Sequence, residues 1–259
     1  MSIRIGARSR AKGVTNEDAS LVDADHCLFG VFDGLGGTRH GGHAARLAAA
    51  TIRAAYDAHV PADDWATERA SLMRAVEEAG RLIATDLQDG LTTASVVHVC
   101  GGPARPAAAL ICNIGDSRVY RYTSAGELHQ CTLDDSIFGV DWDLQQQLSD
   151  VTAPTGLLEH TYFQLRHVMD RALGERDGSP HLWEVPAEDG DVLLAVTDGV
   201  TDNLTFSELR RLLSTDPGEP QQIARRIVDA AHDRSRQSSH PRAKVDDITA
   251  VAAVVRSAG

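Results

Sequence analysis

The chain has 259 residues, of which 42% are hydrophobic and 24% charged, and its formal net charge is −12. A hydrophobic fraction of this size supports a large buried core and excludes a globally disordered chain, and the length fits one large domain. So acidic a chain lacks the basic surface that nucleic-acid binding requires, and a phosphate-bearing ligand would need positive charge from a local basic cluster or from metal ions.

Apolar and β-branched runs typical of strands recur along the chain. In chain order they are Ile3–Ala7, Cys27–Phe32, Ala94–Cys100, Ala107–Ile114, Val119–Tyr122, Asp191–Thr197 and Ile248–Val255. Helical periodicity marks His43–His59, Ala66–Leu87, a short helix from an N-cap at Ser207 to Leu213, and Gln221–His232. Because strands dominate and the helices come in adjacent pairs, the pattern favours packed sheets with helices outside over a doubly wound parallel sheet.

The cysteines and the N-terminal residues indicate the cellular compartment of the protein. Cys27, Cys100, Cys112 and Cys131 form no C-x-x-C pair and mostly lie in apolar, strand-like runs, so we expect reduced core thiols and no zinc site. The first ten residues contain no signal-peptide-like apolar segment, and no apolar run is long enough to span a membrane. These features predict a cytoplasmic protein without membrane contact.

Acidic residues stand at the ends of the apolar runs. They are Glu17, Asp18, Asp33, Asp116, Asp198, Asp246 and Asp247. An Asp-Gly pair alone is typical of a turn, but if these strand ends converge, the carboxylates cannot pack together without a counter-ion. Since no Cys or His shows ligand spacing, oxygen ligands for Mg²⁺ or Mn²⁺ are favoured. Two such ions about 3.5–4 Å apart would activate a water and neutralise a phosphate.

Other uses of the glycine-rich segment "GLGGTRHGG" find no support in the sequence. The segment lacks the G-K-[ST] of a P-loop, and it misses G-x-G-x-x-G because Arg39 takes the place of the last glycine. The chain also has no G-x-S-x-G elbow, so a nucleophilic serine enzyme is unsupported.

Seven motifs in a fixed order resemble those of the metal-dependent protein serine/threonine phosphatases of type 2C, in their bacterial branch. They are "NEDA" (Asn16–Ala19), "VFDGLGG" (Val31–Gly37), "LTTAS" (Leu91–Ser95), "NIGDSRVY" (Asn113–Tyr120), "RALG" (Arg171–Gly174), "VTDGVTD" (Val196–Asp202) and "DDIT" (Asp246–Thr249). Together they cover nearly the whole chain. The order of several motifs is far more specific than any one of them.

The resemblance implies an α+β fold, a four-layer α/β/β/α sandwich in which two antiparallel sheets pack face to face between helix pairs. We expect a single domain over residues 1–259, with a flap subdomain at about 134–169 that sets substrate choice. The implied activity is hydrolysis of phosphoserine and phosphothreonine monoesters, by in-line attack of a water that bridges two Mn²⁺ or Mg²⁺ ions.

The resemblance also implies a role for each acid. Asp33 bridges the two ions, Gly34 offers its carbonyl to one of them, and Glu17 holds the same ion through water. Asp198 and Asp246 hold the other ion. A third, weaker ion is implied between Asp116 and Asp198. Asp18 and Asp247 are implied to lie behind the ligands.

The chain departs from the family pattern at three positions. Gly13 stands where an arginine often grips the phosphate, so Lys12 or Arg10 is expected to take that contact. Leu35 stands where animal members have a histidine, which leaves a metal-bound water or His40 to protonate the leaving group. The third departure is an aspartate, Asp247, where the family usually has asparagine.

Three functional alternatives stay open at this point. The main expectation is an active phosphatase of phosphoproteins, in a system that includes a cognate serine/threonine kinase. The second is a pseudophosphatase that acts as a binding or signalling module, and the third is a phosphatase dedicated to one regulator, such as an anti-sigma antagonist. In each case we expect a monomer.

Overall fold

In the computed structural model, residues 2–36, 40–62, 64–102, 105–176, 178–215 and 218–256 are described, and their strands form two antiparallel sheets. The strands are β1 (Ser2–Arg10), β2 (Ala19–Asp23), β3 (Leu28–Phe32), β4 (Ala94–Gly102), β5 (Arg105–Ile114), β6 (Arg118–Tyr122), β7 (Leu128–Gln130), β8 (His181–Pro186), β9 (Val192–Val196) and β10 (Ile248–Arg256). Sheet A has the order β1-β10-β9-β6-β7, and sheet B has the order β2-β3-β4-β5-β8.

Helices cover the outer face of each sheet. The helices of the described residues are α1 (Gly41–Asp57), α2 (Trp65–Asp86), α3 (Trp142–Ser149), α4 (Leu157–Leu165), α5 (Asp198–Thr201), α6 (Phe206–Ser214) and α7 (Pro220–Ser235). The apolar sides of α1 and α2 are buried on sheet B, and those of α6 and α7 on sheet A. The expected four-layer α/β/β/α sandwich is therefore confirmed.

The central strands are apolar along their length because both of their faces are buried. In β4, Val97 and Val99 contact the other sheet, whereas Val96 and Cys100 contact the layer of α1 and α2. Every residue of β3 and β9 is buried. A strand covered on both sides needs a continuous apolar run rather than an alternating one, and such runs are what the sequence displays at these strands.

The structure differs from the sequence expectations at sheet edges and at one helix start. Strands β2, β7 and β8, which the sequence does not predict, all lie at the edge of a sheet. The N-cap expected at Ser207 is wrong, because Thr205 caps α6 in a capping box with Glu208. Each of these two residues accepts the backbone N–H of the other, which satisfies two otherwise unpaired donors. Ser207 contacts Asp150 instead.

The strand register brings the predicted acids to one edge of the sandwich. Arg10 at the end of β1 pairs with Ile248 at the start of β10, and the end of β9 lies beside the start of β10. In sheet B, Ala19 at the start of β2 pairs with Phe32 at the end of β3. The loops at these strand ends therefore meet on the same side of the molecule.

The expected flap, residues 134–169, contains α3 and α4 and a small core of its own formed by Phe138, Leu148 and Tyr162. The fully buried Arg242 ties it to the rest of the chain, since its guanidinium donates to the carbonyl oxygen of Val151 at 2.6 Å. Within the described ranges, no helix combines the length and the apolar character needed to cross a membrane.

Candidate metal centre

Asp33 follows β3 directly, and its backbone is fixed by two threonines. Its N–H donates to Thr93 Oγ1 at 2.9 Å, and its carbonyl oxygen accepts from the Thr93 N–H and the Thr92 hydroxyl, each at 2.8 Å. The next residue, Gly34, approaches the start of α1 so closely that a Cβ would lie 2.3 Å from the carbonyl carbon of Gly41. Only glycine fits there, because a side chain would collide with the backbone at the start of α1.

The other predicted ligands reach the same place from four different loops. Asp198 is the first residue of α5, and its carboxyl is close enough to Asp33 to raise the pKa of the Asp33 carboxyl. The turn between β5 and β6 supplies Asp116, and the segments before β2 and β10 supply Glu17 and Asp246. We call these five residues the acid cluster.

The electrostatics of the acid cluster favour a bound cation. Burial raises the pKa of the Asp33 and Asp116 carboxyls well above their usual values, and neighbouring carboxylates raise both further. Burial also raises the pKa of Asp198, against the effect of a nearby lysine. Carboxyl groups that are this reluctant to lose their protons have too little positive charge around them, and a divalent ion would supply it.

Lys244 is a member of the site that the sequence analysis missed. Its ammonium nitrogen lies 2.5 Å from Asp198 Oδ2, 2.6 Å from Asp202 Oδ2 and 3.2 Å from Asp246 Oδ2. Burial opposes its charge, but the three carboxylates outweigh this and raise the pKa of Lys244 well above its usual value. The only available signal was its place in the sequence, two positions before Asp246.

Lys12 approaches the cluster from the opposite side. Its ammonium nitrogen lies 3.1 Å from Glu17 Oε2 and 3.4 Å from Asp246 Oδ1, so Asp246 joins the two lysines. Of the 25 basic residues in the chain, only Lys12 and Lys244 are lysines. Both therefore serve the acid cluster, where a compact point charge suits a group of single carboxylate oxygens.

Asp18 and Asp247 hold the loops that carry the predicted ligands. The Asp247 carboxylate accepts the backbone N–H of Lys12 at 2.6 Å with one oxygen and that of Glu17 at 2.8 Å with the other. This two-oxygen contact gives the aspartate at this position a role that an asparagine could fill only in part. Asp18 accepts the Thr197 hydroxyl at 3.0 Å, and burial raises its pKa to about 8.

The residues present fit a divalent metal ion with oxygen ligands. One buried carboxylate oxygen of Asp198 and one of Asp18 have no hydrogen-bond partner among the described residues. A small space of about 10 Å³ is enclosed between Asp116, Asp198, Asp202 and the flap, about the volume that one water needs. Oxygen donors alone, with unsatisfied lone pairs, suit Mg²⁺ or Mn²⁺ rather than Zn²⁺.

The two candidate phosphate contacts are placed differently. Arg10, the last residue of β1, pairs with Asp229 of α7 at 3.0 Å and so contacts the helix layer rather than the acid cluster. Lys12 lies beyond the end of the strand, within the cluster, with 37% of its side chain exposed. The structure therefore brings only one of these two basic residues to the acids.

The loop after Asp33 contains His40, the expected proton donor, and its recorded ring contact is with another histidine. The His40 ring stacks on that of His43, with 6.0 Å between the centroids. Gly36 lies close to Lys12 and Glu17 and is exposed, which leaves room at the cleft, whereas Gly37 of the "VFDGLGG" motif lies outside the described residues.

Comparisons with known proteins identify the family of the chain. The family model described as "Protein phosphatase 2C" matches residues 5–237 of the chain. No curated protein sequence matches the chain.

Solved structures of bacterial phosphatases share the fold over nearly their full lengths. The serine/threonine phosphatase MsPP from Mycobacterium smegmatis, in complex with cacodylate, is 27% identical, with a TM-score of 0.72 and 98% of each chain covered. PppA, a regulatory component of the type VI secretion system in Pseudomonas aeruginosa, is 23% identical, with a TM-score of 0.73 and 98% of each chain covered. The catalytic domain of PstP, in complex with two manganese ions, is 23% identical, with a TM-score of 0.70 and 99% of each chain covered.

Proposed function

Since the chain belongs to the protein phosphatase 2C family, and with it to the metal-dependent protein serine/threonine phosphatases, we propose that the acid cluster hydrolyses phosphoserine and phosphothreonine monoesters with two divalent ions. The convergence of five carboxylates from five loops, with raised pKa values at Asp33, Asp116 and Asp198, is the observation that carries this proposal. The two manganese ions of the PstP structure favour Mn²⁺ or Mg²⁺.

Each residue of the site has a distinct task. Asp33 would be shared between the two ions, with Glu17 and the Gly34 carbonyl holding one of them and Asp198 and Asp246 holding the other. When bound, the two ions supply an activated water and neutralise the charge of the phosphate. The chain itself orients these ligands through Asp247, which fixes the backbone at Lys12 and Glu17.

Lys12 is the candidate that orients the substrate phosphate. It is an exposed cation of the cleft, and its ammonium can turn from Glu17 and Asp246 toward an incoming phosphate to form a charge-assisted hydrogen bond. Leu35 has no proton to give, so the proton for the leaving serine or threonine comes from another donor. His40 is the nearest candidate in the sequence, although its ring stacks on His43.

Hydrolysis of p-nitrophenyl phosphate with Mn²⁺, Mg²⁺ or EDTA tests the proposal. We expect turnover only with metal, and we expect Asp33→Asn to lower kcat/KM by at least about 10³-fold, equivalent to about 4 kcal/mol. Glu127→Gln, which changes an exposed acid in the turn at the end of β6 opposite to Asp116, is the matched control and should retain full activity. Metal-independent turnover, or a fully active Asp33→Asn protein, would overturn the mechanism.

The same assay distinguishes the pseudophosphatase. In that case the protein would bind Mn²⁺ in a calorimetric titration but give no turnover of any phosphomonoester under any metal. Arguing against it, Asp247 holds the ligand-bearing loops through both of its oxygens, so the departure from asparagine preserves the site.

The substrate class follows from the loops beside the site. The flap borders the enclosed space next to Asp116 and Asp198, so a protein that approaches the cleft contacts it. We expect the flap to select among phosphoproteins of a kinase-based signalling system, or one dedicated regulator. Replacing the exposed part of the flap should change the rate on phosphoproteins more than the rate on p-nitrophenyl phosphate, and equal changes in both rates would contradict this role.

A further inference from the structure

A second group of metal-binding side chains lies at the other end of α1. His59 follows α1, Glu68 is in the first turn of α2, and His98 is in β4, on the face that carries Val96 and Cys100 toward the helices. We call these three residues the histidine cluster. The 17 residues of α1 span about 25 Å, so the cluster is well separated from the acid cluster.

The donor atoms of the histidine cluster are spaced as ligands of one ion. Glu68 Oε2 lies 3.1 Å from His59 Nε2 and 3.6 Å from His98 Nδ1, and all three donor atoms lie within 4.8 Å of one another. A tetrahedral zinc ion with bonds of about 2.0–2.1 Å places its ligand atoms roughly 3.4 Å apart. Only small side-chain shifts are therefore needed to close the three atoms around an ion.

Burial gives the cluster a need for positive charge. Only 1% of the Glu68 side chain is exposed, with 8% for His59 and 7% for His98. Among the described residues, the two histidines are the ion-pair partners of Glu68, and neither a lysine nor an arginine reaches it. A carboxylate so deeply buried is costly without a cation, and a metal ion shared with two neutral imidazoles supplies one.

The surroundings supply the other parts of a metal site. The second oxygen of Glu68 accepts the backbone N–H of Ala62, which fixes the carboxylate. The Tyr56 hydroxyl lies 3.2 Å from His98 Nδ1, beside the open ligand position. A surface cavity of about 430 Å³, lined by Tyr56 and His59 among others, gives an ion a route from solvent.

We propose that His59, Glu68 and His98 form a zinc site that joins the end of α1, the start of α2 and strand β4. Two imidazoles and one carboxylate are a ligand set that zinc uses, whereas Mg²⁺ prefers oxygen. The site is structural, because the ion fastens both helices of this layer to sheet B. It is independent of the phosphatase chemistry, and its test does not depend on turnover.

Cobalt substitution tests the site on the full-length chain. Metal-free protein is first saturated with Mg²⁺ and then titrated with Co²⁺, and visible absorption distinguishes the intense bands of tetrahedral Co²⁺ from the weak bands of a six-coordinate oxygen site. We expect tetrahedral bands from one Co²⁺ per chain, which one equivalent of Zn²⁺ displaces. We also expect the bands to persist in Asp33→Asn, in which only the acid cluster is altered.

Variants identify the ligands. Glu68→Gln and His59→Gln should each weaken Co²⁺ and Zn²⁺ binding more than about tenfold, since even changes behind the ligands of a metal cost about 10–100-fold. His59 lies outside the helix and the strand, so His59→Gln keeps the test valid if Glu68→Gln fails to fold. His129→Gln, at an exposed histidine, is the matched control and should bind as the wild type does. Absence of tetrahedral bands in the wild type, or their survival in His59→Gln, would overturn the proposal.

Discussion

Helix α1 has a polar cluster at each end, and the two clusters solve the problem of buried charge differently. At its start, the acid cluster gathers five carboxylates and recruits both lysines of the chain as counter-charges. At its end, the histidine cluster holds a single carboxylate between two imidazoles. The first cluster keeps an exposed side, where Lys12 is 37% exposed, whereas each side chain of the second is less than a tenth exposed.

This difference shows how ligand chemistry follows from position in the same fold. The acid cluster is built from loops at strand ends, where backbone and solvent are accessible and a large substrate can enter. The histidine cluster is built between a helix layer and a sheet, where its side chains are almost wholly buried. An exchangeable Mg²⁺ or Mn²⁺ ion therefore suits the acid cluster, whereas a tightly held Zn²⁺ ion suits the histidine cluster.

The largest expected effect on stability concerns Lys244. If the acid cluster depends on its lysines when metal is absent, Lys244→Met should lower the free energy of unfolding in EDTA by about 3 kcal/mol, because the carboxylates it contacts lose their partner. The same variant should bind Mn²⁺ more tightly than the wild type, since the ammonium no longer competes. Denaturant unfolding in EDTA and calorimetric Mn²⁺ titration measure the two effects.

Lys12→Met is the matched comparison, because it removes the only other lysine. Its ammonium is more exposed and its contacts are longer, so we expect a loss in EDTA below about 1 kcal/mol. No loss in Lys244→Met would mean that the acid cluster does not need a resident cation, and equal losses in the two variants would mean that burial does not set the contribution of each lysine.

The sequence predicts the acid cluster better than its counter-charges. Each strand end is marked by an apolar run that stops at an acid, as at Asp33 and Asp198, and the antiparallel register then brings these ends together. Lys244 has no such mark, because its role depends on how the segment before β10 folds back over α5. Edge strands such as β7 are not predicted from the sequence, because they are short and partly exposed and so show no hydrophobic periodicity.

The histidine cluster is not visible in the sequence at all. His59 and Glu68 are nine positions apart, and His98 lies on another element, so no ligand spacing exists along the chain. The expectation that the chain has no zinc site was drawn from cysteine spacing, which cannot detect ligands that only the packing of α1 and α2 on β4 brings together. The proposed zinc site therefore tests that expectation directly.

A smaller effect is expected at Asp247, which can be compared with Glu68. Both are buried carboxylates that accept backbone N–H groups, but Asp247 accepts two such bonds and Glu68 one. Asp247→Asn can keep only one of its bonds, so we expect a loss of about 1–2 kcal/mol in the free energy of unfolding. Weaker Mn²⁺ binding should accompany it, because the loop that carries Glu17 loosens. Unchanged stability and unchanged Mn²⁺ affinity together would show that the contact does not position the ligands.

The smallest expected effect on catalysis concerns the exposed side of the acid cluster. Lys12→Met should raise KM for p-nitrophenyl phosphate by about fivefold, equivalent to about 1 kcal/mol, with little change in kcat, if its ammonium contacts the substrate phosphate. Arg10→Met is the control, because Arg10 pairs with Asp229 of α7 and should leave KM unchanged. A KM that rises in Arg10→Met and not in Lys12→Met would place the phosphate nearer to β1. An unchanged KM in both variants would leave the bound ions to hold the phosphate without help from a side chain, and the acid cluster would then resemble the histidine cluster in serving its ion alone.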